Sequence, residues 1–294
     1  LYAGALLLLL AVEVVGETRM GATRWLSVGP VSLQPSELMK IGIVLALARY
    51  YHQLDARKTG TVLWIIPPFL MIVAPVALVM HQPDLGTSLM ILFAGICVMF
   101  LGGLLWRIIA AGAIVAISGA VFAYTSLLHG YQRDRVNVFL GITDDPLGAG
   151  YHVLQSKIAI GSAGLFGRGW MQGTQSQLDF LPEKHTDFIF TMIVEEFGLL
   201  GGALVLFLFG ALLAFTMQVA YKARSLFGKL AAGGVAATLA CYVFINTAMV
   251  IGLVPVVGIP LPLISYGGTA MLTLMAGYAI VLSIDLHRDQ EFPP

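Results

Sequence analysis

The sequence predicts an all-α, polytopic membrane protein, and its composition and apolar runs carry that prediction. The 294 residues are 58% hydrophobic and only 11% charged, whereas soluble domains carry about a quarter charged residues. The apolar residues are gathered into runs that approach the roughly 20 residues a helix needs to cross a bilayer. A net charge of zero argues against nucleic acid as a partner. Cys97 and Cys241 lie inside apolar runs, so neither a disulfide framework nor a zinc site is predicted.

Eight membrane spans are predicted, within a single integral membrane domain over residues 1–294. Gly and Pro inside the spans are tolerable because neighbouring helices can satisfy the freed backbone groups. The first residue is Leu and not Met, so we expect the chain to begin inside a larger protein. The predicted spans lie near Leu1–Val15, Pro35–His52, Leu63–Met80, Leu85–Gly102, Leu104–Leu128, Phe188–Ala214, Gly228–Ile251 and Leu261–Ile284.

Charge sorts the connections between spans onto two sides. Short loops rich in Lys and Arg stay cytoplasmic, which predicts a cytoplasmic location for Arg49–Gly60, Gly102–Arg107 and Ala220–Lys229. The long loop of residues 129–186, between the fifth and sixth spans, then faces outward. A loop of that length is uncommon for a passive connector, so we expect it to have a function.

One segment of this extracytoplasmic loop, Tyr151–Ile160, has the pattern of a short amphipathic helix lying at the membrane interface. Such a helix could line the route by which a lipid-borne substrate approaches from the side. It could equally do no more than cover the helix bundle. Its apolar positions are Val153, Leu154, Ile158 and Ala159.

A charged segment that runs directly into a membrane helix, Gly173–Gly198, contains the first candidate site. Asp187 lies at the mouth of the apolar run, and Glu195 and Glu196 lie about two turns deeper. A helix that starts near Asp187 places it on one polar stripe with Thr191 and Glu195. A carboxylate at membrane depth is costly and marks a functional site by default. The alternative is that Asp187 only pairs with the positive end of the helix dipole.

Cations in the outward loop form a second group of candidates. Arg and Lys near a membrane surface suit phosphate or pyrophosphate groups, and Arg can bind them with two parallel hydrogen bonds. For any single residue, contact with lipid headgroups is the simpler interpretation. These residues are Arg133, Arg135, Lys157 and Arg168.

Two further candidates lie just before the predicted sixth span and within the predicted eighth. His185 stands beside Glu183 and Lys184, which allows metal ligation, although a lone His among charges is more often a solvated loop residue. Ser265 lies in the segment PVVGIPLPLISYGGTA, where Pro and Gly interrupt the apolar run. Irregular backbone at membrane depth is tolerated where it is buried in protein or lines a cavity, and Ser265 could offer its hydroxyl to such a cavity.

The remaining candidates lie on or before the predicted second span and just before the predicted fourth. Glu37 and Lys40 lie three residues apart on a helix, where a buried ion pair is the favoured interpretation. Removing one partner would strand a charge in the membrane. Asp84 is expected to cap a span, or else to face the outward cavity. Trp25 is either an interfacial anchor or a surface that packs against a sugar ring.

Taken together, these motifs resemble the SEDS family, and within it the rod-shape branch rather than the division branch. The resemblance implies a bundle of ten membrane helices, of which this chain would lack the first two. The matching segments extend over almost the whole chain, in order. They are RWLSVGPVSLQPSELMK, HQPDLGTS, YQRDRV, DDPLGAGYHVLQSKIAIGSAGLFGRGW, GTQSQLDFLPEKHTDFIF, EEFGLLG and PVVGIPLPLISYGGTA.

The resemblance also implies an activity and its residues. It implies a peptidoglycan glycosyltransferase that polymerises lipid II for cell elongation, on the outer face of the bacterial cytoplasmic membrane. The essential acid of the family corresponds to Asp187, and Glu37, Lys40 and Trp25 match further residues on which the family depends. The family implies a class B penicillin-binding protein as partner and a supporting divalent cation, Mg²⁺ or Mn²⁺, for which the sequence shows no convincing ligand cluster.

The chemistry of such a reaction fits one positioned carboxylate. The 4-hydroxyl of the acceptor sugar must lose a proton as it attacks the anomeric carbon of the donor, and a carboxylate can act as the general base. The leaving undecaprenyl pyrophosphate needs positive charge from Arg, Lys or a metal ion. A second catalytic carboxylate is therefore not required.

Two other functions are compatible with the same sequence. A lipid II flippase would use the polar stripe as a translocation path, and a non-catalytic scaffold would only position a partner helix. The sequence favours the enzyme because the candidate acids and cations are expected on one side of the membrane.

Overall fold

The structure, a computed structural model, describes residues 1–19, 22–28, 31–55, 61–126, 133, 137, 149–177, 180–181 and 183–289. The described chain is mostly helical, as predicted. Its helices are α1 Tyr2–Val15, α2 Pro35–Gln53, α3 Val62–His81, α4 Leu85–Leu101, α5 Trp106–Ser126, α6 Ala149–Ser162, α7 Thr174–Gln177, α8 Ile189–Lys222, α9 Leu226–Val250 and α10 Gly268–Leu286.

A helix of 14 or more residues overlaps each predicted span. By length and composition, four helices of the described chain can cross a membrane: Leu63–His81, Ile189–Lys222, Leu226–Val250 and Gly268–Leu286. The count of eight spans stays a prediction. The predicted start of the last span is wrong, because α10 begins at Gly268 and not at Leu261. Pro260 and Pro262 lack the N–H groups that a helix would use there.

Three short antiparallel strands follow α1, a feature absent from the all-α prediction. They are β1 Glu17–Arg19, β2 Ala22–Val28 and β3 Val31–Leu33, and they form one sheet in that order. Strand β2, with the sequence ATRWLSV, contains the β-branched and aromatic residues that suit strands. Trp25 therefore lies on a sheet, in register with Glu17 of β1.

The chain divides into two compact units, and the first comprises Leu1–Trp106, Leu212–Cys241 and Gly268–Pro294. Most residues of helix α2 are buried, and its residues Ile43 and Leu47 are wholly enclosed. Gly234 of α9 lets two helices approach it closely, since a Cβ there would come within 2.5 Å of Val44 and 2.7 Å of Val98. The unit is thus packed around α2, which carries Glu37 and Lys40.

The second unit comprises Arg107–Ala211 and Tyr242–Gly267, and its main feature is a break in α8. Gly198 has φ 72° and ψ −170°, a conformation that glycine adopts without steric cost. The helix that follows, Leu199–Lys222, is about 36 Å long at 1.5 Å per residue, and a bilayer core is about 30 Å thick. The part of α8 before the break is therefore not needed to cross the membrane.

A glycine-rich loop closes the break. The freed carbonyl oxygens of Glu195 and Glu196 accept hydrogen bonds from the amides of Arg168 (2.9 Å) and Gly169 (3.0 Å). On the other side of the break, the amides of Leu199 and Leu200 donate to carbonyl oxygens of the loop. The loop and the broken helix thus satisfy each other's backbone groups, as polar groups near a membrane require.

Helix α6 contains the segment Tyr151–Ile160, which was predicted to be an amphipathic helix of the outward loop. Ala159 is fully buried, whereas Leu154 and Ile158 are exposed. The predicted apolar face is therefore divided between a protein-facing side and an exposed side.

Candidate functional site

Asp187 lies in a series of turns, Glu183–Phe188, that leads directly into α8. The amides of Thr186 and Phe188 both donate to the carbonyl oxygen of Glu183, at 3.2 Å each. The hydroxyl of Thr186 donates to the carboxylate of Glu183 at 2.7 Å. Helix α8 begins at Ile189, so the predicted helix start near Asp187 is accurate to two residues.

The backbone that carries Asp187 is held by three hydrogen bonds, which we call the carbonyl clamp. The carbonyl oxygens of residues 185, 186 and 187 each accept a hydrogen bond from a residue near the C-terminal end of the second unit. Two donors are side chains and one is a backbone amide. They are the Tyr266 amide to His185 (2.8 Å), the Ser265 hydroxyl to Thr186 (2.6 Å) and the Asn246 side-chain amide to Asp187 (2.8 Å).

The clamp residues also hold the irregular segment that follows α9. Asn246 uses its second N–H to donate to the carbonyl oxygen of Ile259 at 2.8 Å. Ser265 accepts the amide of Leu261 at 2.7 Å while its own hydroxyl donates to Thr186. The Ser265 hydroxyl is thus engaged as both donor and acceptor, which suits a positioning role better than the predicted contact with a cavity.

The side chain of Asp187 lies over the backbone of this segment. Gly258 has φ 72°, and a Cβ at that position would lie 3.3 Å from Oδ2 of Asp187. Asp187 is half-buried, so its carboxylate is partly shielded and partly open to solvent. The hydrogen bonds to residues 185–187 fix the backbone that carries this carboxylate.

Thr191 and Glu195, the two residues predicted to continue the polar stripe below Asp187, are both buried and make structural contacts. Thr191 and Ser156 are fully buried, and their hydroxyl oxygens lie 2.7 Å apart. The buried carboxylate of Glu195 accepts the amide of Gln175 at 2.9 Å. Because Glu195 precedes the break in α8, its carboxylate does not have to lie in the hydrocarbon core.

The predicted cations have different surroundings. The exposed Lys157 lies over the end of α9, where a Cβ on Gly252 would meet its Nζ at 2.5 Å. Arg133 stacks on the ring of Tyr124 at 5.6 Å, and Arg135 lies outside the described residues. The guanidinium of Arg168 donates to the hydroxyl of Thr174 at 3.0 Å.

His185 contributes its backbone to the clamp, and its side chain is exposed. Within the described part of the chain, no group of three or more His, Cys, Asp or Glu side chains could hold a metal ion. We therefore assign no described residue to the divalent cation that the family resemblance implies.

The first unit contains the buried ion pair predicted on α2. The ammonium of Lys40 lies 2.7 Å from Oε1 of Glu37, and the two residues are 2% and 4% exposed. The hydrogen-bonded geometry compensates part of the cost of burying two charges.

Asp84 also belongs to the first unit and caps α4, as predicted. Its carboxylate accepts the amide of Thr87 at 3.1 Å and the hydroxyl of Thr87 at 2.9 Å. The side-chain amide of Gln34 donates to it at 3.2 Å, and Nε of Arg24 lies 3.7 Å away. Asp84 therefore ties the residues around β2 to the start of α4. Trp25, which follows Arg24 in β2, is half-buried.

Asn246 is the site residue that sequence reasoning missed. It lies within the apolar helix α9 and is fully buried. A polar residue inside a candidate membrane span was the available signal, because such residues are costly and tend to be functional.

Comparisons with known proteins place this geometry in context. The sequence profile of the FtsW/RodA/SpoVE family, described as a cell cycle protein, matches residues 1–290. The chain is 47% identical over 292 residues to the peptidoglycan glycosyltransferase MrdB of Escherichia coli K12, covering 98% of the chain and 77% of that protein.

Two solved structures have a similar fold. One is from a peptidoglycan synthase complex that coordinates polymerization and crosslinking. It has a TM-score of 0.82 and 35% identity, over 98% of this chain and 80% of that one. The other is the rod shape determining protein RodA of Thermus thermophilus, with a TM-score of 0.70 and 32% identity, over 98% of this chain and 77% of that one.

Proposed function

This chain belongs to the FtsW/RodA/SpoVE family, and from that premise we propose that it is a peptidoglycan glycosyltransferase that polymerises lipid II, with Asp187 as its general base. The observation that carries the proposal is the carbonyl clamp. Three consecutive carbonyl oxygens around Asp187 are held by donors from the second unit's last segment. Such fixing of the backbone is what a catalytic carboxylate needs to keep its geometry through the reaction.

In the proposed step, the acceptor sugar's 4-hydroxyl gives its proton to the Asp187 carboxylate. Its oxygen forms a bond to the anomeric carbon of the donor. The bond from that carbon to the lipid pyrophosphate breaks, and the electron pair leaves with the pyrophosphate. Attack from the face opposite the leaving group inverts the configuration at the anomeric carbon.

Positive charge must stabilise the leaving pyrophosphate. Arg133, Lys157 and Arg168 of the second unit are the candidates among the described residues, and an Arg side chain can present two parallel N–H donors to a phosphate. A bound divalent cation would supply further charge neutralisation. We propose that polymerisation is lost on chelation with EDTA and returns on addition of Mg²⁺ or Mn²⁺, whereas activity that persists in EDTA would remove the cation from the proposal.

The proposed setting is the bacterial inner membrane, with Asp187 on the extracytoplasmic face. The cationic short loops support this orientation. A class B penicillin-binding protein is the proposed partner, which is supported by the similarity to a structure from a peptidoglycan synthase complex.

The test is polymerisation of lipid II by the purified full chain with its penicillin-binding partner in proteoliposomes. We expect Asp187→Asn to lower the rate by roughly 10²–10⁴-fold, the usual contribution of a general base. Glu196→Gln is the matched control, because it removes a half-buried carboxylate nine residues further along the chain. Undiminished glycan polymer from Asp187→Asn would rule out Asp187 as the base.

A flippase is the alternative, favoured by the irregular backbone of residues 251–267 between two apolar helices. It predicts movement of lipid II across vesicles without glycan product. The same proteoliposomes distinguish the two functions when both polymer and lipid orientation are measured.

A further inference from the structure

The loop that closes the break in α8, which we call the glycine loop (Ala163–Met171), carries an exposed apolar surface that the proposed chemistry does not use. Phe166 is 79% exposed and Trp170 is 69% exposed. Leu165 and Met171 are exposed as well. Large apolar side chains that are grouped on a surface mark a contact with a protein or a membrane.

The position of the glycine loop along α8 indicates that its exposed side chains contact the membrane. The loop pairs its backbone with residues 195–200, with hydrogen bonds on both sides of Gly198. The helix from Leu199 onwards is the part long enough to span the hydrocarbon core. The loop is therefore attached at the point where the spanning helix begins.

Exposed apolar side chains lie on both the loop and the helix near this point. The ring of Trp170 packs against that of Phe197, with centroids 5.8 Å apart. Leu199 and Leu200, which open the spanning part of α8, are exposed like the loop residues. Leu199 and Leu200 belong to a candidate membrane span, and exposed apolar side chains of a membrane span are expected to contact lipid.

The polar atoms of the loop suit the edge of a membrane rather than its centre. Trp has an apolar ring and one N–H donor, and it is enriched where acyl chains meet headgroups. Arg168 lies between Phe166 and Trp170 in the chain, and its long side chain can reach towards headgroup phosphates. The loop backbone is paired with α8, which lowers the cost of placing irregular backbone beside lipid.

We infer that the glycine loop inserts into the acyl-chain region of the leaflet on the Asp187 side of the membrane, with Phe166 and Trp170 as its anchors. The first part of α8, Ile189–Phe197, is about 13 Å long. It lies between the inserted loop and Asp187. The reacting sugars of a lipid-linked substrate would then be held outside the acyl chains, beside Asp187. This last consequence rests on the proposed function, whereas the insertion does not.

Nitroxide labels test the insertion independently of activity. In a background with Cys97→Ala and Cys241→Ala, one label replaces Phe166. A label at Phe207, an exposed residue of the spanning part of α8, is the lipid reference. A label at Arg288, beyond the end of α10, is the water reference. Collision rates with oxygen, which partitions into lipid, and with a water-soluble nickel chelate are measured in proteoliposomes.

We expect the ratio of oxygen to nickel collisions at Phe166 to exceed that at Arg288 several-fold and to lie below that at Phe207, which is about 12 Å further along the spanning helix. A ratio at Phe166 close to that at Arg288 would overturn the inference, because the loop would then lie in water. Low collision rates with both reagents would also overturn it, because a protein partner would then cover the loop.

Quenching of Trp170 gives a second measurement that needs no label. Phospholipids brominated on their acyl chains should quench wild-type fluorescence, and the Trp170→Phe variant should lack that component. Iodide in the water should leave the Trp170 component unchanged. Quenching of this component by iodide and not by brominated lipid would contradict the insertion.

Discussion

The side-chain amide of Asn246 donates a 2.8 Å hydrogen bond to the carbonyl oxygen of Asp187, so a residue inside an apolar helix sets the backbone of the proposed base. Its second N–H binds Ile259, which lies next to Gly258 beneath the Asp187 carboxylate. One side chain thus fixes both the base and the surface on which the base lies.

Replacing Asn246 by Ala should lower polymerisation mainly through turnover. The carbonyl oxygens of Asp187 and Ile259 would lose their donor, and a buried unsatisfied group costs about 1–3 kcal/mol. If about 1.4 kcal/mol of this appears at the transition state, turnover falls about ten-fold, with little change in KM for lipid II. Thr247→Ala is the control, because that hydroxyl bonds only within its own helix among the contacts of the described chain. Equal rates for the two variants would contradict a positioning role.

Ser265→Ala should also reduce activity, by removing the donor to Thr186 and the acceptor for Leu261. Each hydrogen bond contributes about 0.5–1.5 kcal/mol, so we expect a smaller loss of turnover than in Asp187→Asn. Ser265→Thr keeps the hydroxyl and should recover part of the rate. Ser162→Ala, which removes a hydroxyl bonded to the nearby Ala159 carbonyl, should leave the rate unchanged. The interpretation fails if the alanine and threonine variants at Ser265 behave alike.

Gly198→Ala should destabilise the protein strongly. A left-handed backbone costs an L-residue roughly 1–2 kcal/mol, and the new Cβ would overlap the Gly167 amide nitrogen and the Leu165 carbonyl oxygen. The expected result is a lower Tm in detergent, measured by a thermal shift assay. Gly210→Ala lies on the same helix, where an added Cβ meets nothing within 4 Å, and should be neutral or slightly stabilising. A Tm for Gly198→Ala equal to that for Gly210→Ala would show that the break is not required.

Breaking the buried pair on α2 should cost more than breaking an exposed pair. Glu37→Gln leaves Lys40 charged in a site where both are almost fully buried, at a cost of roughly 3–5 kcal/mol. Arg224→Gln breaks an exposed pair with Asp289 and should change stability by less than about 1 kcal/mol. The double variant Glu37→Leu, Lys40→Met should recover the Tm. If that variant also recovered polymerisation, the pair would have only a structural role.

Sequence patterns predicted most helices because hydrophobicity and length are local properties. The Glu37–Lys40 pair and the Asp84 cap were likewise predictable, since their partners lie three residues apart. The start of α10 was placed seven residues too early, because an apolar run does not reveal where prolines end a helix. The strands around Trp25 were missed because they are short and lie between apolar helices.

The sequence by itself determined that this is a helical membrane protein, where Asp187 lies relative to an apolar helix, and which family it belongs to. Only the tertiary structure decided that three distant donors hold residues 185–187 and that Gly198 breaks α8. These features depend on contacts between distant residues, such as Tyr266 and His185, which are 81 positions apart in the chain, and on a φ value that hydropathy does not encode. The costly carboxylate of Glu195 is therefore explained by packing, because the hydroxyl of Thr174 and the amide of Gln175 donate hydrogen bonds to it.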